Sequence, residues 1–285
     1  MNIDVSKIKK IEDIVFLPIS FFKTNQIKSI DNTVETTFMS SGTGGNRSKH
    51  AVFSLGLYEF AFLKSFENFF SSPTHYCHLA LLPNYVAQGH SSLVYMVNNF
   101  ITKSPYVNSQ FILDDFDELK RVLIYNKQNA IPTILWGVSF SLLDFIEENT
   151  IEFPNLIVIE TGGMKGKRKE IIRKELHTKL KNGFKGATIC SEYGMTELLS
   201  QSYFMPENDC FKPSPLQKIL IRDINDPFKI LGRNKHGAIN VIDLANWQSC
   251  SFIATEDLGI KKENGFDILG RMDLAENRGC NLLFS

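Results

Sequence analysis

Apolar and polar positions along the chain fall into two regimes. From about residue 75, short apolar runs alternate with amphipathic stretches. The runs "YCHLALL" at 76–82, "FILDD" at 111–115, "PTILWG" at 132–137, "NLIVIE" at 155–160 and "GATIC" at 186–190 predict strands. Between them, "FDELKRVLIYNKQN" sets Phe116, Leu119, Val122 and Leu123 at helical spacing. "SFSLLDFIEEN" at 139–149 predicts a helix with Ser139 or Ser141 as its cap. "KGKRKEIIRKELHTKLKNG" at 165–183 predicts another, with Ile171, Ile172, Leu176 and Leu180 in one stripe and Gly183 as its stop. Strands alternating with helices of this length predict an α/β fold with a parallel sheet and right-handed crossovers.

After about residue 206 the texture changes. Pro206, Pro213, Pro215 and Pro227 punctuate "KILIRDI", "GAINVIDL", "SFIATEDLGI" and "GFDILGR", short runs rich in Ile and Val. They predict an antiparallel, partly barrel-like subdomain. The expected organisation is an α/β core over 1–205 and a β-rich subdomain over 206–285.

Composition narrows the function. With 285 residues, 43% of them hydrophobic, the chain can bury a substantial core. Lys+Arg and Asp+Glu both number 31, so no global field attracts nucleic acid or an anionic membrane, and neither is expected as a partner. Any anion has to be bound locally. The start "MNIDVSKIKKIEDIV" alternates charge with Ile and Val, unlike a signal peptide, and a cytoplasmic location is expected. The most apolar stretch, 131–146, is shorter than the ~20 residues a spanning helix needs and is broken by Gly137, Ser139 and Ser141. Five widely spaced cysteines without a CxxC pair suggest neither a disulfide framework nor a zinc site. The basic run from Lys165 to Lys181 lies opposite an Ile/Leu stripe and reads as a solvated helix face.

Candidate chemistry sits in loops. In an open parallel sheet, ligands bind beyond the carboxyl ends of the strands, and two glycine-bearing loops occupy that position: "TGGMKG" at 161–166 and "SEYGMTE" at 191–197. Glycine lets the main chain approach a ligand closely, so that successive N–H groups converge on an anion. A third stretch, "SSGTGGNRSK" at 40–49, reads either as a flexible linker or as a phosphate cradle. It matches neither common nucleotide fingerprint, since Arg47 stands where each requires glycine, and the pattern shows no strand just before it.

"SSGTGGNRSK", "TGGMKG", "SEYGMTE", "TEDLG" at 255–259 and "GRMD" at 270–273 share the order and approximate spacing of motifs in the adenylate-forming superfamily, the group of acyl-CoA synthetases, luciferases and adenylation domains. Within it, "FLPISFFK" at 16–23 and "RGCNLL" at 278–283 most resemble the acyl-protein synthetases of the bacterial bioluminescence type. The resemblance spans nearly the whole chain. It implies the large-domain core of those enzymes without their mobile C-terminal lid, because the sequence ends at Ser285, soon after the hinge-like Asp273. It also implies ATP and Mg²⁺ as cofactors, with activation of a carboxylic acid, expected to be fatty, to an acyl-adenylate. The acyl group would then pass to a protein thiol, with an acyl-CoA reductase-like protein as partner. A CoA ligase and a nucleotide-binding protein without turnover are the alternatives.

The same resemblance implies roles for individual residues. Ser40, Ser41, Gly42, Thr43, Gly44 and Gly45 would wrap the β- and γ-phosphates, with Lys49 and Arg47 supplying positive charge; the family usually has a second threonine where Gly44 stands. Tyr193 and Gly194 would face adenine, Thr196 would bond the α-phosphate, and Glu197 would hold Mg²⁺. Thr161, Gly162 and Gly163 would form the opposite adenine wall, mainly through backbone. Asp257 would accept from the ribose hydroxyls and Arg271 would contact ribose or phosphate. His90 would lie beside the acyl pocket, where a structural histidine is an equal reading. Cys280, next to Arg278, would be the acyl acceptor; an inert buried thiol is the alternative. Trp136 and Phe140 are placed near the acyl pocket.

Overall fold

The computed structural model describes residues 5–41, 47–83, 89–162 and 171–272. Four fully or largely buried strands, β4 (Cys77–Leu81), β6 (Thr133–Val138), β8 (Leu156–Thr161) and β10 (Thr188–Tyr193), run parallel in the order β4-β6-β8-β10, with the short β5 (Gln110–Phe111) beside β4. Their residues are apolar on both faces because helices cover both.

Those helices are α2 (Leu55–Glu67), α3 (Ser92–Lys103), α4 (Phe116–Gln128), α5 (Ser139–Glu148) and α6 (Arg173–Gly183), preceded by the single-turn α1 (Phe21–Thr24). Three start with a side-chain cap: the hydroxyls of Ser54 and Ser91 and the carboxylate of Asp115 each accept a backbone N–H three residues on. Helix α5 does not use the cap expected for it. Its N-cap is Val138, and the Ser139 hydroxyl instead bonds the Glu160 carboxylate. The stripe expected for α6 is half correct. Leu176 and Leu180 are buried, but the helix begins at Arg173, so Ile171 and Ile172 precede it and Ile172 is 71% exposed. Gly183 does end the helix, and it has a second reason to be glycine: a Cβ there would lie 2.4 Å from Cγ2 of Ile146 on α5.

Trp136 belongs to the core. It is fully buried, stacks with Phe100 at 5.8 Å, and donates its indole N–H to Nδ1 of His78, whose Nε2 donates to the Pro73 carbonyl. Phe140 is likewise buried in the main apolar cluster. Each such side chain contributes on the order of 2–3 kcal/mol through the surface it removes from water.

The C-terminal region is β-rich, as expected, and among the described residues its strands continue the main sheet and form no separate barrel. After β10 the direction reverses, and β11 (Ser202–Met205) and β12 (Cys210–Lys212) extend the same sheet antiparallel. Beyond them lie β17 (Phe266–Arg271), β16 (Phe252–Lys261), β15 (His236–Asp243), β13 (Gln217–Arg222) and β14 (Ile230–Leu231). Near the amino terminus, β1 (Leu17–Pro18) pairs in parallel with β16, so the described residues form one thirteen-stranded sheet. The two-residue β7 (Ile151–Glu152) and β9 (Phe184–Lys185) pair separately. A second apolar cluster, including Phe22, Leu198, Phe204, Phe211, Ile221 and Val241, packs on the antiparallel part.

Candidate active site

The glycine-rich stretch has a strand before it after all. β2 (Thr36–Met39) and β3 (Lys49–Val52) form an antiparallel hairpin with Met39 opposite Lys49, and 40–48 is its connection. β2 escapes the sequence pattern because it is only four residues long and reads "TTFM", with a single fully buried position. The base of the connection is fixed twice over: the Ser40 N–H donates to the Ser48 carbonyl, and the Ser48 N–H donates to the Ser40 hydroxyl, both at 3.0 Å. Met39 also donates its N–H to the His90 carbonyl at 2.9 Å, joining the hairpin to the loop ahead of α3. His90 is exposed and, like Gly89, takes a positive φ. Ser41 is half-buried and Lys49 exposed. Gly42, Thr43, Gly44, Gly45, Gly163 and Cys280 lie outside the described residues.

The turn after β10 meets this hairpin. Ser48 lies beside the buried Glu197 carboxyl, near enough for its side chain to favour the charged form. His50, on β3, holds the same turn by its backbone, with Nδ1 2.9 Å from the Thr196 carbonyl and Nε2 2.8 Å from the Ser249 hydroxyl. A carbonyl only accepts, so Nδ1 carries the proton and Nε2 accepts from Ser249. Burial pushes His50 down to about 4, which keeps it neutral. Burial also raises Glu197 above the ordinary carboxylate range, opposed first by the Ser48 side chain.

From the other side of the turn, the Tyr193 hydroxyl donates to the Asp257 carboxylate at 2.7 Å. Asp257 lies on β16, and Arg271 reaches from the neighbouring β17, 3.9 Å from Asp257 and 3.2 Å from Glu256. Asp257 pairs in register with Arg271, so both side chains stand on one sheet face. Burial raises Asp257, while Tyr193 and Arg271 oppose the rise. Thr161 ends β8 beside this turn, and Gly162 follows with φ 67°, a left-handed conformation that glycine adopts without strain.

Hairpin, turn and β16–β17 pair therefore converge, bringing Ser40, Ser48, Tyr193, Thr196, Glu197, Asp257 and Arg271 to one region. Sequence reasoning missed Ser48, His50, Glu192 and Asp243. Asp243 is fully buried, accepts from the backbone N–H groups of Leu199 and Ser200, and accepts the Ser200 hydroxyl at 2.7 Å, pinning the chain just after Glu197. Its one local bond, from the Ala245 N–H, marks it only as a helix cap; the partners through which it pins the turn lie more than forty residues away in sequence. Glu192 lies inside "SEYGMTE", where the motif gives it no role.

No protein-family model and no curated protein sequence matches the chain. Solved structures do. An ATP-bound chimera of RpMatB and BxBclM superposes at TM-score 0.64 with 17% identity over 85% of this chain and 49% of its own. O-succinylbenzoate coenzyme A synthetase from Bacillus subtilis, in complex with ATP and magnesium, gives 0.59 with 18% identity over 85% and 51%. The luciferase-like enzyme of the Zophobas morio mealworm gives 0.57 with 16% identity over 86% and 59%. The chain thus spans about half the length of the structures it matches. Among the described residues no helix is long and apolar enough to cross a membrane. At this level of identity the likeness is one of architecture, and the fold is that of the core of the adenylate-forming enzymes.

Proposed function

We propose that the protein activates a carboxylic acid with ATP, forming an acyl-adenylate, and passes the acyl group to a thiol. The observation that carries this reading is the double attachment of one short turn: His50 of the glycine-rich hairpin's β3 holds the Thr196 carbonyl at 2.9 Å, and Tyr193 donates to Asp257. Three segments distant in sequence meet there, as a nucleotide triphosphate would require.

In this reading Ser40, Ser41 and Thr43, the backbone of Gly42, Gly44 and Gly45, and the Lys49 ammonium bind the β- and γ-phosphates. Thr196 bonds the α-phosphate. Tyr193 and Gly194 on one side and the backbone of Thr161, Gly162 and Gly163 on the other enclose adenine, Asp257 and Arg271 take the ribose, and His90 borders the acid. The donor set suits Mg²⁺: Glu197 offers a carboxylate whose charge burial disfavours, and a hard cation offsets that cost. Bound there with the phosphates, Mg²⁺ would supply charge neutralisation.

The chemistry has two steps. A carboxylate oxygen attacks the α-phosphorus, and the bond to pyrophosphate breaks; positioning and charge neutralisation supply most of the rate. A thiolate then attacks the acyl carbonyl, a C–S bond forms, and the C–O bond to AMP breaks. The resemblance assigns the thiol to Cys280, the acid to the fatty class and the next acceptor to an acyl-CoA reductase-like partner. The solved relatives include a coenzyme A synthetase, which favours free CoA as the second candidate acceptor.

ATP–pyrophosphate exchange across a panel of acids tests the first step. Exchange dependent on acid and Glu197 is expected, and silence across the panel with ATP still bound refutes it. Intact-protein mass after ATP and acid tests the second: an adduct lost in Cys280→Ala is expected, and thioester formation on CoA by that variant assigns the acceptor to CoA instead.

A further inference from the structure

We propose that Thr161, Glu192, Gln201 and Tyr203 form a subsite for an ammonium group carried by the acid substrate. The inference rests on the adenylation reading only for what brings the acid to this place. The first observation is register. Glu192 pairs with Thr161 of β8 on one side and with Tyr203 of β11 on the other. Registered partners on adjacent strands point to the same face, about 5 Å apart, so the three side chains form a row. The row crosses the carboxyl ends of β8 and β10, where open parallel sheets bind ligands.

The second observation is that the row is unsatisfied. The Thr161 hydroxyl, the Tyr203 hydroxyl and the Gln201 amide oxygen are buried without a hydrogen-bond partner, in residues 0%, 0% and 4% exposed. Among the described residues no group donates to the Glu192 carboxylate either. Buried polar groups are rarely left so, and several together need an account. Glu192 and Gln201 converge over Gly194: a Cβ there would lie 2.2 Å from a Glu192 carboxylate oxygen and 3.4 Å from Gln201 Cγ.

The unmet demand is mostly for donors. The amide oxygen only accepts, both hydroxyl oxygens can accept, and the Glu192 carboxyl only accepts once a bound cation draws off its proton. An ammonium brings three N–H donors and a positive charge. Burial first, and then the negative charge of Glu160 on β8, lift Glu192 up to about 8. From α2 the buried Tyr58, whose hydroxyl donates to the Ser92 carbonyl, lies near enough to feel the Glu192 charge. A plain hydrocarbon chain laid on this row would leave four polar groups unpaired, so the fatty-acid expectation is refined to an acid that also bears an amine.

Calorimetric titration of the full chain with two matched pairs tests this: 8-aminooctanoate against octanoate, and phenylalanine against 3-phenylpropanoate. At least one amine-bearing member is expected to bind at least about tenfold tighter than its partner, the scale of one charge-assisted hydrogen bond. Glu192→Gln and, independently, Thr161→Val are expected to reduce that ratio. Equal binding within both pairs, preference for the deamino members, or no binding of all four overturns the subsite. If either variant fails to fold, the wild-type ratios still decide. Pyrophosphate exchange with the same acids separates the two readings. Exchange with octanoate as good as with 8-aminooctanoate sinks the subsite and leaves adenylation standing; Glu192-dependent binding of the amine without exchange does the reverse.

Discussion

Replacing Glu192 by Gln should stabilise the protein in a way that grows with pH. Burial holds the carboxyl near 8 in the folded chain against an ordinary value of 4.5. Its charged form is therefore penalised by folding. The sign follows directly: below pH 4.5 the group is protonated in both states and costs nothing. Between 4.5 and 8 the folded chain holds a proton that the unfolded chain has released, so stability falls as pH rises, and above 8 the penalty is constant. At about 1.36 kcal/mol per pH unit the ceiling is near 5 kcal/mol, which solvent reaching the half-buried side chain trims to roughly 2–3 kcal/mol. Gln has nearly the same shape and no charge, so it escapes this cost. Urea unfolding of both proteins at pH 5, 7 and 9 should show midpoints close together at pH 5 and the variant ahead by about 2–3 kcal/mol at pH 9. A difference that is flat across pH, or a wild type that gains on the variant as pH rises, would refute the reasoning. A stability gain bought by removing a binding group is the usual trade at functional sites.

Other consequences can be measured separately. Tyr193→Phe removes the 2.7 Å bond to the half-buried Asp257 carboxylate and should cost about 1–2 kcal/mol in urea unfolding; a loss under 0.5 kcal/mol would show that the bond contributes little. Ser48→Ala removes the hydroxyl that most opposes the rise of Glu197, so the acid limb of a pH profile for pyrophosphate exchange should move to higher pH; an unmoved limb would detach Glu197 from that step. Asp243→Ala leaves the Ser200 N–H, the Ser200 hydroxyl and the Ala245 N–H without their acceptor, while Leu199 keeps Asn246, and should cost about 3 kcal/mol or more, with amide exchange quickened over 194–201.

The parallel half of the sheet was legible because each of its strands is a continuous apolar run bounded by breakers, as "PTILWG" and "NLIVIE" are. The antiparallel half was legible as strands but not as an arrangement. β11 and β12 form a local hairpin, but pairing of β12 with β17 is non-local, and proline spacing carries no information about which edge meets which. β2 was missed because a four-residue strand with one buried position has no period to detect. Ser139 shows a local rule overridden: a serine at a helix start favours capping, yet a buried carboxyl on the adjacent strand takes its hydroxyl. At the site, the motifs named the residues inside the turn. They could not name Ser48, His50 or Asp243, which meet that turn from distant segments through contacts invisible in linear order.

The unbroken sheet has a bearing on how this molecule can be dismantled. A cut between β11 and β12, where the sequence texture changes, would strip a strand of its neighbour and leave a ladder of naked amide and carbonyl groups on each fragment. Two such fragments would seek each other, or copies of themselves, for the same hydrogen bonds. Co-expressed, they are suited to reconstitution as a split reporter; expressed singly, each is a candidate for inclusion bodies.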